Sequence, residues 1–134
     1  MAQMKLKIVT PDKLAFDAEA ERVIVRTLSG DIAILPNHAE MSSALGVGVC
    51  RVTQDGKTRK AALNGGVVTV VDNTVSILTV TFEWADDIDL ERAKKAEQAA
   101  REKLAASGIG EAGYPALEAK LRRSLARIQA ASEE

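Results

Sequence analysis

The sequence predicts an all-β sandwich, in the form of a flattened antiparallel barrel, followed by a C-terminal antiparallel hairpin of two helices. The first observation is a change of composition near residue 86: all 12 valines and all 8 threonines lie between Val9 and Thr81. β-branched residues favour strands, whereas the Ala, Leu, Glu, Lys and Arg that dominate after Asp86 favour helices. The second is that turn signals recur about every ten residues in the first part. We therefore place a β-sandwich domain at residues 1–85 and a helical hairpin domain at residues 86–134.

The N-terminal strands show alternating apolar and polar residues. Leu6 and Ile8 alternate with lysines until Thr10-Pro11-Asp12 interrupts the run. A second alternating run contains Phe16, and a third ends before the turn Ser29-Gly30-Asp31. This period of two is typical of strands with one buried face.

The later strands are more apolar. The run 47–52 leads to Asp55-Gly56, a strong hairpin signal. Asn64-Gly65-Gly66 is interpreted as a turn before the run 67–71, which is followed by the run 75–80. Because these last two runs are almost continuously apolar, we expect strands that either are buried on both faces or lie at the core between two sheets.

The first helix is expected to begin at Asp86-Asp87, whose carboxylates can cap it, and to end at Ser107-Gly108-Ile109-Gly110. Pro115 is a suitable first residue for the second helix. That helix carries one apolar stripe, formed by Leu117, Leu121, Leu125 and Ile128. The first helix offers mainly alanines, so the hairpin buries little apolar surface and should be held weakly.

Composition excludes several classes of protein. The formal net charge of -1 argues against a nucleic-acid binder, which normally has a basic excess. A single cysteine, Cys50, and a single histidine, His38, exclude an internal disulfide and a zinc site built from several such ligands. No stretch approaches the roughly 20 apolar residues of a membrane span. Phosphate-loop, dinucleotide and nucleophile-elbow motifs are incomplete or missing, so no catalytic residue and no metal site is predicted.

Two segments remain with functional interest. The run 29–41 joins a turn, an apolar strand and a polar loop. The run 88–93 places Asp89, Arg92 and Ala93 on one helix face at spacings of three and four residues. Arg92 can then pair with an anion beside the small Ala93, although a local Asp89–Arg92 ion pair explains the same spacing.

These segments, in this order, resemble the epsilon subunits of bacterial F-type ATP synthases. The resemblance extends over nearly the whole chain and is most specific at Ile34-Leu35-Pro36-Asn37-His38-Ala39. Further matches are Leu63-Asn64-Gly65-Gly66-Val67, Asp87-Ile88-Asp89 and Arg92-Ala93. Asn37 stands where glycine is common in the family, and Asn tolerates the left-handed conformation that a turn can require.

The resemblance implies a non-catalytic rotor subunit that requires no cofactor. In this family the β-sandwich binds the gamma subunit and sits on the ring of c subunits, at the cytoplasmic face of the cell membrane. The chain is then peripheral and associates with the membrane only through the complex, whether protons or sodium ions drive it. Candidate c-ring contacts are Gly30, Asp31, His38 and Glu40, in loops that the resemblance places at the ring-facing end.

The resemblance also implies a mobile hairpin. In the family it can fold against the sandwich, or extend toward the α and β subunits and block rotation in the hydrolytic direction. Four basic residues of the second helix match the inhibitory contact to β: Lys120, Arg122, Arg123 and Arg127. A solvated helix face is the alternative explanation of this cluster.

ATP is implied as a regulatory ligand of the folded hairpin. Some bacterial members bind it through a motif that Ile88-Asp89-Leu90-Glu91-Arg92-Ala93 matches without a mismatch. Ile88, Asp89, Arg92 and Ala93 are therefore candidate nucleotide-binding residues, with Arg122 or Arg123 supplying further positive charge for the phosphates. The alternative function is a freestanding β-sandwich adaptor that uses its helical hairpin to bind another protein.

Overall fold

A computed structural model of the chain describes residues 2–108 and 110–132. It contains eight strands and two long helices. The strands are β1 (Met4–Thr10), β2 (Lys13–Ala20), β3 (Arg22–Thr27), β4 (Gly30–Ile34), β5 (Met41–Gln54), β6 (Lys57–Val71), β7 (Thr74–Leu78) and β8 (Thr81–Trp84). A 3₁₀ turn at Ala85–Asp87 leads into α1 (Leu90–Ala106) and α2 (Tyr114–Ser132). The β-sandwich followed by two helices confirms the predicted fold class.

The strands form one continuous sheet in the order β2-β1-β7-β6-β5-β3-β4, with β8 also paired to β6. All neighbouring pairs are antiparallel except β1 and β7, which are parallel. β5 and β6 have 14 and 15 residues and pair with each other from end to end. The second half of β6 pairs with β7 and the first half with β8. The long β5–β6 hairpin therefore belongs to both layers of the sandwich.

Asn64-Gly65-Gly66 lies inside β6 and does not separate two strands, which corrects the predicted turn. Gly65 and Gly66 have φ values of 67° and 109°. Leu63 and Val68 both face the core although they are an odd number of residues apart, so the strand reverses its inward and outward sides here. The glycines let β6 bend from one layer into the other.

The core lies between the two layers and consists mainly of small and medium aliphatic side chains. Leu6, Ile8, Val23, Val25, Ile34, Leu63, Val68, Val70, Val75 and Ile77 are fully or almost fully buried. Trp84 of β8 contacts Phe82 edge-to-face, with ring centroids 4.9 Å apart, and Phe16 of β2 at 5.9 Å. The aromatic cluster therefore joins the last strand to the opposite edge of the sheet.

The two apolar runs are not buried on both faces; each turns one face to the core between the layers, which agrees with the second of the two alternatives. Along 67–71 and 75–80 burial alternates, and Val71, Leu78 and Val80 are exposed. The second run is also not one strand, because β7 ends at Leu78 and β8 begins at Thr81. Buried Thr79 lies at the break, where its hydroxyl bonds the Asn64 carbonyl oxygen at 3.2 Å. An apolar surface is thus left on the outer face of the sheet.

Asp89, and not Asp86 or Asp87, caps α1: its carboxylate accepts a hydrogen bond from the backbone N–H of Arg92 at 3.1 Å. The two earlier aspartates lie in the 3₁₀ turn, which shifts the helix start by one turn. α1 ends at Ala106, and Ile109 of the predicted terminator lies outside the described residues. Tyr114, one residue before Pro115, begins α2.

Small residues make the buried contacts of the hairpin. The buried side chains of its described part are Ala93, Ala100, Ser124, Ala126 and Ala130. Leu117, Leu121 and Ile128 of the predicted stripe are partly buried, on the side of α2 roughly opposite Ala126, whereas Leu125 is 39% exposed. α2 therefore uses two faces, one toward α1 and one toward the sheet.

We expect Gly66→Ala to destabilise the sandwich by about 2–5 kcal/mol, because strain at positive φ adds to overpacking. A Cβ at this position would lie 1.8 Å from the Leu78 carbonyl oxygen, on backbone that cannot move aside cheaply. Gly65→Ala is the matched control, since a Cβ there meets nothing within 4 Å. It should cost only about 1 kcal/mol. Urea denaturation measures both, and equal losses would contradict the close-approach argument.

Candidate functional site

The helical hairpin packs on the outer face of β5 and β6 through α2. Ala130 is fully buried in a small cluster with Val49 of β5 and Ala62 of β6, and Ile88 packs against the same cluster. These are short side chains, so the apolar area that holds the hairpin is small. The run 88–93 lies where α1 leaves this interface.

A cavity of about 250 Å³ opens between β8, the start of α1 and the end of α2. Its lining consists of Glu83, Asp87, Ile88, Asp89, Arg92, Ala93 and Arg127. The four predicted nucleotide-binding residues of the α1 segment are therefore brought together at one place. The volume lies just below the roughly 300–1,000 Å³ of typical small-molecule pockets, so a larger ligand would extend beyond the cavity.

The geometry at Asp89 follows from its capping role. The Asp89 side chain caps the first turn of the 17-residue helix α1. The positive end of the helix dipole therefore lies beside the cavity. Arg92 is exposed, whereas Ala93 is only 3% exposed. The structure shows the backbone cap rather than a side-chain ion pair between Asp89 and Arg92. The Arg92 guanidinium can therefore turn toward a ligand without breaking the cap.

Arg127 supplies the second cation of the cavity. Its Nε donates to Glu83 Oε1 at 2.7 Å, which joins α2 to β8 across 44 residues of sequence. Because both side chains are about a third or more exposed, this ion pair contributes little to stability. It nevertheless fixes the position of the Arg127 guanidinium at the cavity wall.

The other basic residues of α2 lie elsewhere. Arg123 is partly buried and lines a neighbouring depression with Val47 and Asn64, not the charged cavity itself. Lys120 and Arg122 are exposed. The structure thus places Arg127, rather than Arg122 or Arg123, next to Arg92. The sequence pattern indicates Arg127 only for the contact to β, and its place at the cavity depends on how α2 is rotated on the sheet.

The cavity wall carries both signs of charge. The guanidinium groups of Arg92 and Arg127 face the carboxylates of Glu83, Asp87 and Asp89. In this arrangement the basic groups can bind an anion, and the carboxylates can accept hydrogen bonds from the N–H or O–H groups of the same ligand. A ligand with both a phosphate and a hydrogen-bond donor therefore fits the chemistry better than a simple anion.

The four candidate c-ring residues do not form one surface. Gly30 and Asp31 begin β4, where Asp31 pairs with Arg26 at 3.4 Å. His38 and Glu40 lie in the loop beyond the other end of the same strand. There Glu40 accepts from the backbone N–H of Asp72 at 3.4 Å, and Asn37 adopts a φ of 65°. The left-handed conformation expected to be tolerated at Asn37 is present.

An apolar stripe crosses the outer face of the other layer, and the sequence reasoning did not predict it. Register places the following residues side by side on β2, β1, β7, β6 and β5: Leu14, Val9, Leu78, Val67 and Ala44. Leu14 and Leu78 are 55% and 52% exposed, and Val80 beside them is 58% exposed. Contiguous exposed apolar patches are typical of interaction surfaces, so the stripe is a candidate contact surface. The sequence signal for it is the run 75–80, whose apolar residues face both sides of the sheet.

The remaining chemistry is sparse. Burial raises the pKa of the Cys50 thiol to about 12, so this buried cysteine stays protonated at neutral pH. Across residues 2–108 and 110–132, no group of three or more His, Cys, Asp or Glu side chains is placed to hold a metal ion. In the same part of the chain, no helix has the length and apolar character needed to span a membrane.

Two family models together match almost the whole chain. The β-sandwich domain of the ATP synthase delta/epsilon chain matches residues 3–85. The long α-helix domain of the same chain matches residues 86–132.

Curated relatives and solved structures agree with these models. An ATP synthase epsilon chain of Desulforamulus reducens is 41% identical, over 95% of this chain and 96% of its own length. The ATP synthase epsilon chain of Synechococcus is 43% identical, over 96% of this chain and 94% of its own length. A chain in the cryo-EM structure of the Euglena gracilis mitochondrial ATP synthase OSCP/F1/c-ring has a TM-score of 0.86 at 26% identity, covering 99% of this chain and 83% of that one. A Tetrahymena thermophila central stalk and c-ring structure shares the fold, with a TM-score of 0.62 at 17% identity over 96% of both chains.

The motif at the cavity, the sandwich with its appended hairpin and the full-length matches lead to one assignment: the chain belongs to the ATP synthase delta/epsilon chain family.

Proposed function

We propose that this chain docks in the ATP synthase rotor through its β-sandwich (residues 1–85) and regulates ATP hydrolysis through its helical hairpin (residues 86–134). The observation that carries the proposal is the division of surfaces: an apolar stripe on one layer, and a weakly packed hairpin with a charged cavity on the other. The match over the whole chain removes the support for a freestanding adaptor.

The chain is a non-catalytic subunit of the ATP synthase central stalk, with the gamma subunit, the c ring and the α and β subunits as its partners. It is a peripheral component of the F1 part. Its placement at the cytoplasmic face of the cell membrane is part of the proposal. Gly30 and Asp31 at one end of β4, and His38 and Glu40 at the other, are offered as separate candidate contacts to the c ring.

The apolar stripe is the proposed docking surface for gamma. The stripe is formed by neighbouring strands of a hydrogen-bonded sheet. Its backbone is therefore already ordered before a partner binds, which lowers the entropic cost of association. The row contains no charged side chain, and Pro11 and Val80 extend it into a depression of about 310 Å³. Burial of these exposed aliphatic groups supplies the favourable free energy of the contact.

Leu78→Glu should abolish or strongly weaken capture of gamma by the tagged chain, because a charge would be buried in an apolar contact. Leu78 is half exposed, so the substitution should leave the thermal stability of the isolated chain nearly unchanged. Leu28→Glu is the control, since Leu28 is 76% exposed in the turn between β3 and β4. Co-purification with gamma, α and β measures the effect. Retention of gamma by Leu78→Glu would contradict docking through the stripe.

The hairpin is the proposed brake on hydrolysis. In the docked state Arg123 and Arg127 face the sandwich, whereas Lys120 and Arg122 face solvent. Undocking would present all four cations to acidic groups on β, which favours electrostatic steering and pairing. The small interface between hairpin and sheet supports a conformational equilibrium of this kind.

Truncation of the chain before Ile88 should raise ATP hydrolysis by the assembled synthase, because it removes the proposed inhibitory element. The stripe and the core lie entirely within β1 to β8, so the truncated chain should still bind gamma. Steady-state hydrolysis by membranes containing either chain measures the effect. Unchanged hydrolysis, with gamma binding intact, would show that the hairpin is not a brake.

ATP is the proposed ligand of the charged cavity. Arg92 and Arg127 would bind its phosphates, and Asp89 would accept hydrogen bonds from the base or the ribose. The Glu83 carboxylate has to share or release Arg127 when the phosphates arrive. Since the cavity includes residues of α1, α2 and β8, a ligand in it binds only the docked hairpin. It stabilises that state by RT ln(1 + [ATP]/Kd), about 2.7 kcal/mol at a hundredfold excess over Kd.

Arg92→Ala should weaken ATP binding to the isolated chain by roughly tenfold or more, because it removes a charge-assisted contact to phosphate. Arg101→Ala, on an exposed position of the same helix, should bind ATP as the unaltered chain does. Isothermal titration calorimetry gives both affinities. Equal affinity in the two variants, or no heat at millimolar ATP, would contradict the proposed site.

A further inference from the structure

The connection between β4 and β5, residues 35–40, is held by the two-residue turn between β6 and β7. In that turn the side-chain Oδ1 of Asn73 accepts a hydrogen bond from the backbone N–H of Asn37 at 2.8 Å. The backbone N–H of Asp72 donates to Glu40 Oε2 at 3.4 Å. The turn therefore holds both the beginning and the end of the loop 35–40, across 36 and 32 positions of sequence.

The Asn73 side chain also holds the start of the chain. Its Nδ2 donates to the carbonyl oxygen of Gln3 at 2.9 Å, and the Asn73 carbonyl oxygen accepts from the backbone N–H of Lys5 at 3.1 Å. The φ of Asn73 is 56°, in the left-handed region that asparagine tolerates better than most residues. Aspartate has no amide donor and glycine has no side chain, so asparagine is the residue that meets all three requirements.

The loop offers hydrogen-bond acceptors to a partner. The ring Nδ1 of His38 lies 2.8 Å from the Ala39 carbonyl oxygen. Because a carbonyl oxygen only accepts, we assign the ring hydrogen to Nδ1, which leaves Nε2 as the acceptor of the neutral ring. The exposed carboxylate of Glu40 is a second acceptor. A partner segment with N–H donors or a cationic group therefore complements this loop.

We propose that Asn73 is a positioning residue for the contact with the c ring: it holds the loop 35–40 in the conformation in which His38 and Glu40 meet a donor-bearing segment of the ring. This inference rests on the proposed c-ring contact of these two residues. Because the turn orders the loop before the ring arrives, less conformational entropy is lost on binding. Asn73 acts through the loop, so its contribution to affinity is indirect.

Two substitutions at Asn73 separate its hydrogen bonds from the shape of the turn. Asn73→Gly gives the turn the Asp-Gly sequence that two-residue hairpin turns favour, and it removes both side-chain bonds. Asn73→Asp keeps the acceptor for the Asn37 N–H and removes only the donor to Gln3. Asp55→Gly is the matched control, because Asp55 has a φ of 53° and is exposed in the turn between β5 and β6.

Amide hydrogen exchange of the full chain, followed by NMR, reports the order of the loop. Asn73→Gly should raise the exchange rate of the Asn37 N–H by about tenfold, the change expected when one hydrogen bond is lost. Asn73→Asp and Asp55→Gly should keep this rate within about twofold of that of the unaltered chain. An unchanged rate in Asn73→Gly would show that the turn does not order the loop.

The effect on the partner is measured as the affinity of purified c ring for a complex of gamma with the tagged chain. Asn73→Gly should weaken this binding by roughly three- to tenfold, since the loop then has to be ordered on contact. Asn73→Asp should bind the ring as the unaltered chain does, which a general loss of turn structure would not allow. Capture of gamma checks that each variant is folded, because the apolar stripe crosses β7 at Leu78, away from this turn.

A double variant, His38→Ala with Glu40→Gln, tests the contact itself. If it binds the ring as tightly as the unaltered chain, the proposed c-ring contact of this loop is wrong and the inference falls with it. If the double variant binds weakly but Asn73→Gly binds normally despite faster exchange at Asn37, the contact stands and the positioning role of Asn73 is overturned.

Discussion

The pairing of β5 with β6 is the constraint on which the other features depend. These two strands stay hydrogen-bonded to each other over their whole length while their neighbours change from β7 to β8. Gly65 and Gly66 let the pair turn from one layer into the other and exchange its inward and outward faces. A Cβ at Gly66 would meet the backbone of Leu78, so the same glycine also sets how closely β7 approaches. The bend therefore fixes both the closed sandwich and the position of its outer faces.

The exchange of faces explains why one sheet carries two different surfaces. Before the bend, the outward residues of β6 include Ala62, which receives α2. After the bend they include Val67, which continues the apolar stripe into β7 and β1. A partner bound at the stripe and a hairpin docked on β5 and β6 are therefore connected through a rigid, hydrogen-bonded pair of strands. In the proposed function, the subunit is held in the rotor by one face while the other face is free to change state.

The sequence predicts local features better than relations between distant segments. The run 88–93 is contiguous, so helical spacing alone brings Asp89, Arg92 and Ala93 to one place, and the structure agrees. Arg127 reaches the cavity only because of how α2 is rotated on the sheet, and the spacing of four basic residues within α2 does not reveal that rotation. Asp86, Asp87 and Asp89 have the same capping propensity, and the 3₁₀ turn that selects Asp89 depends on the end of β8. The bend at Gly65 is predicted as a turn because the glycine signal is the same in both cases.

The free energy that holds the hairpin on the sheet is small enough to be comparable with the free energy that a bound ligand can supply. A docked helix with several buried leucines would cost about 1.5–3 kcal/mol per side chain to expose, and several such side chains together would exceed what a regulatory nucleotide could balance. Here the buried residues of α2 are Ser124, Ala126 and Ala130, and the ion pair to Glu83 is partly solvated. The contribution of about 2.7 kcal/mol from a ligand at a hundredfold excess changes a docking ratio by about two orders of magnitude. Because the apolar gain is small, a contribution of this size would be enough, under the proposed function, to change the dominant state of the hairpin.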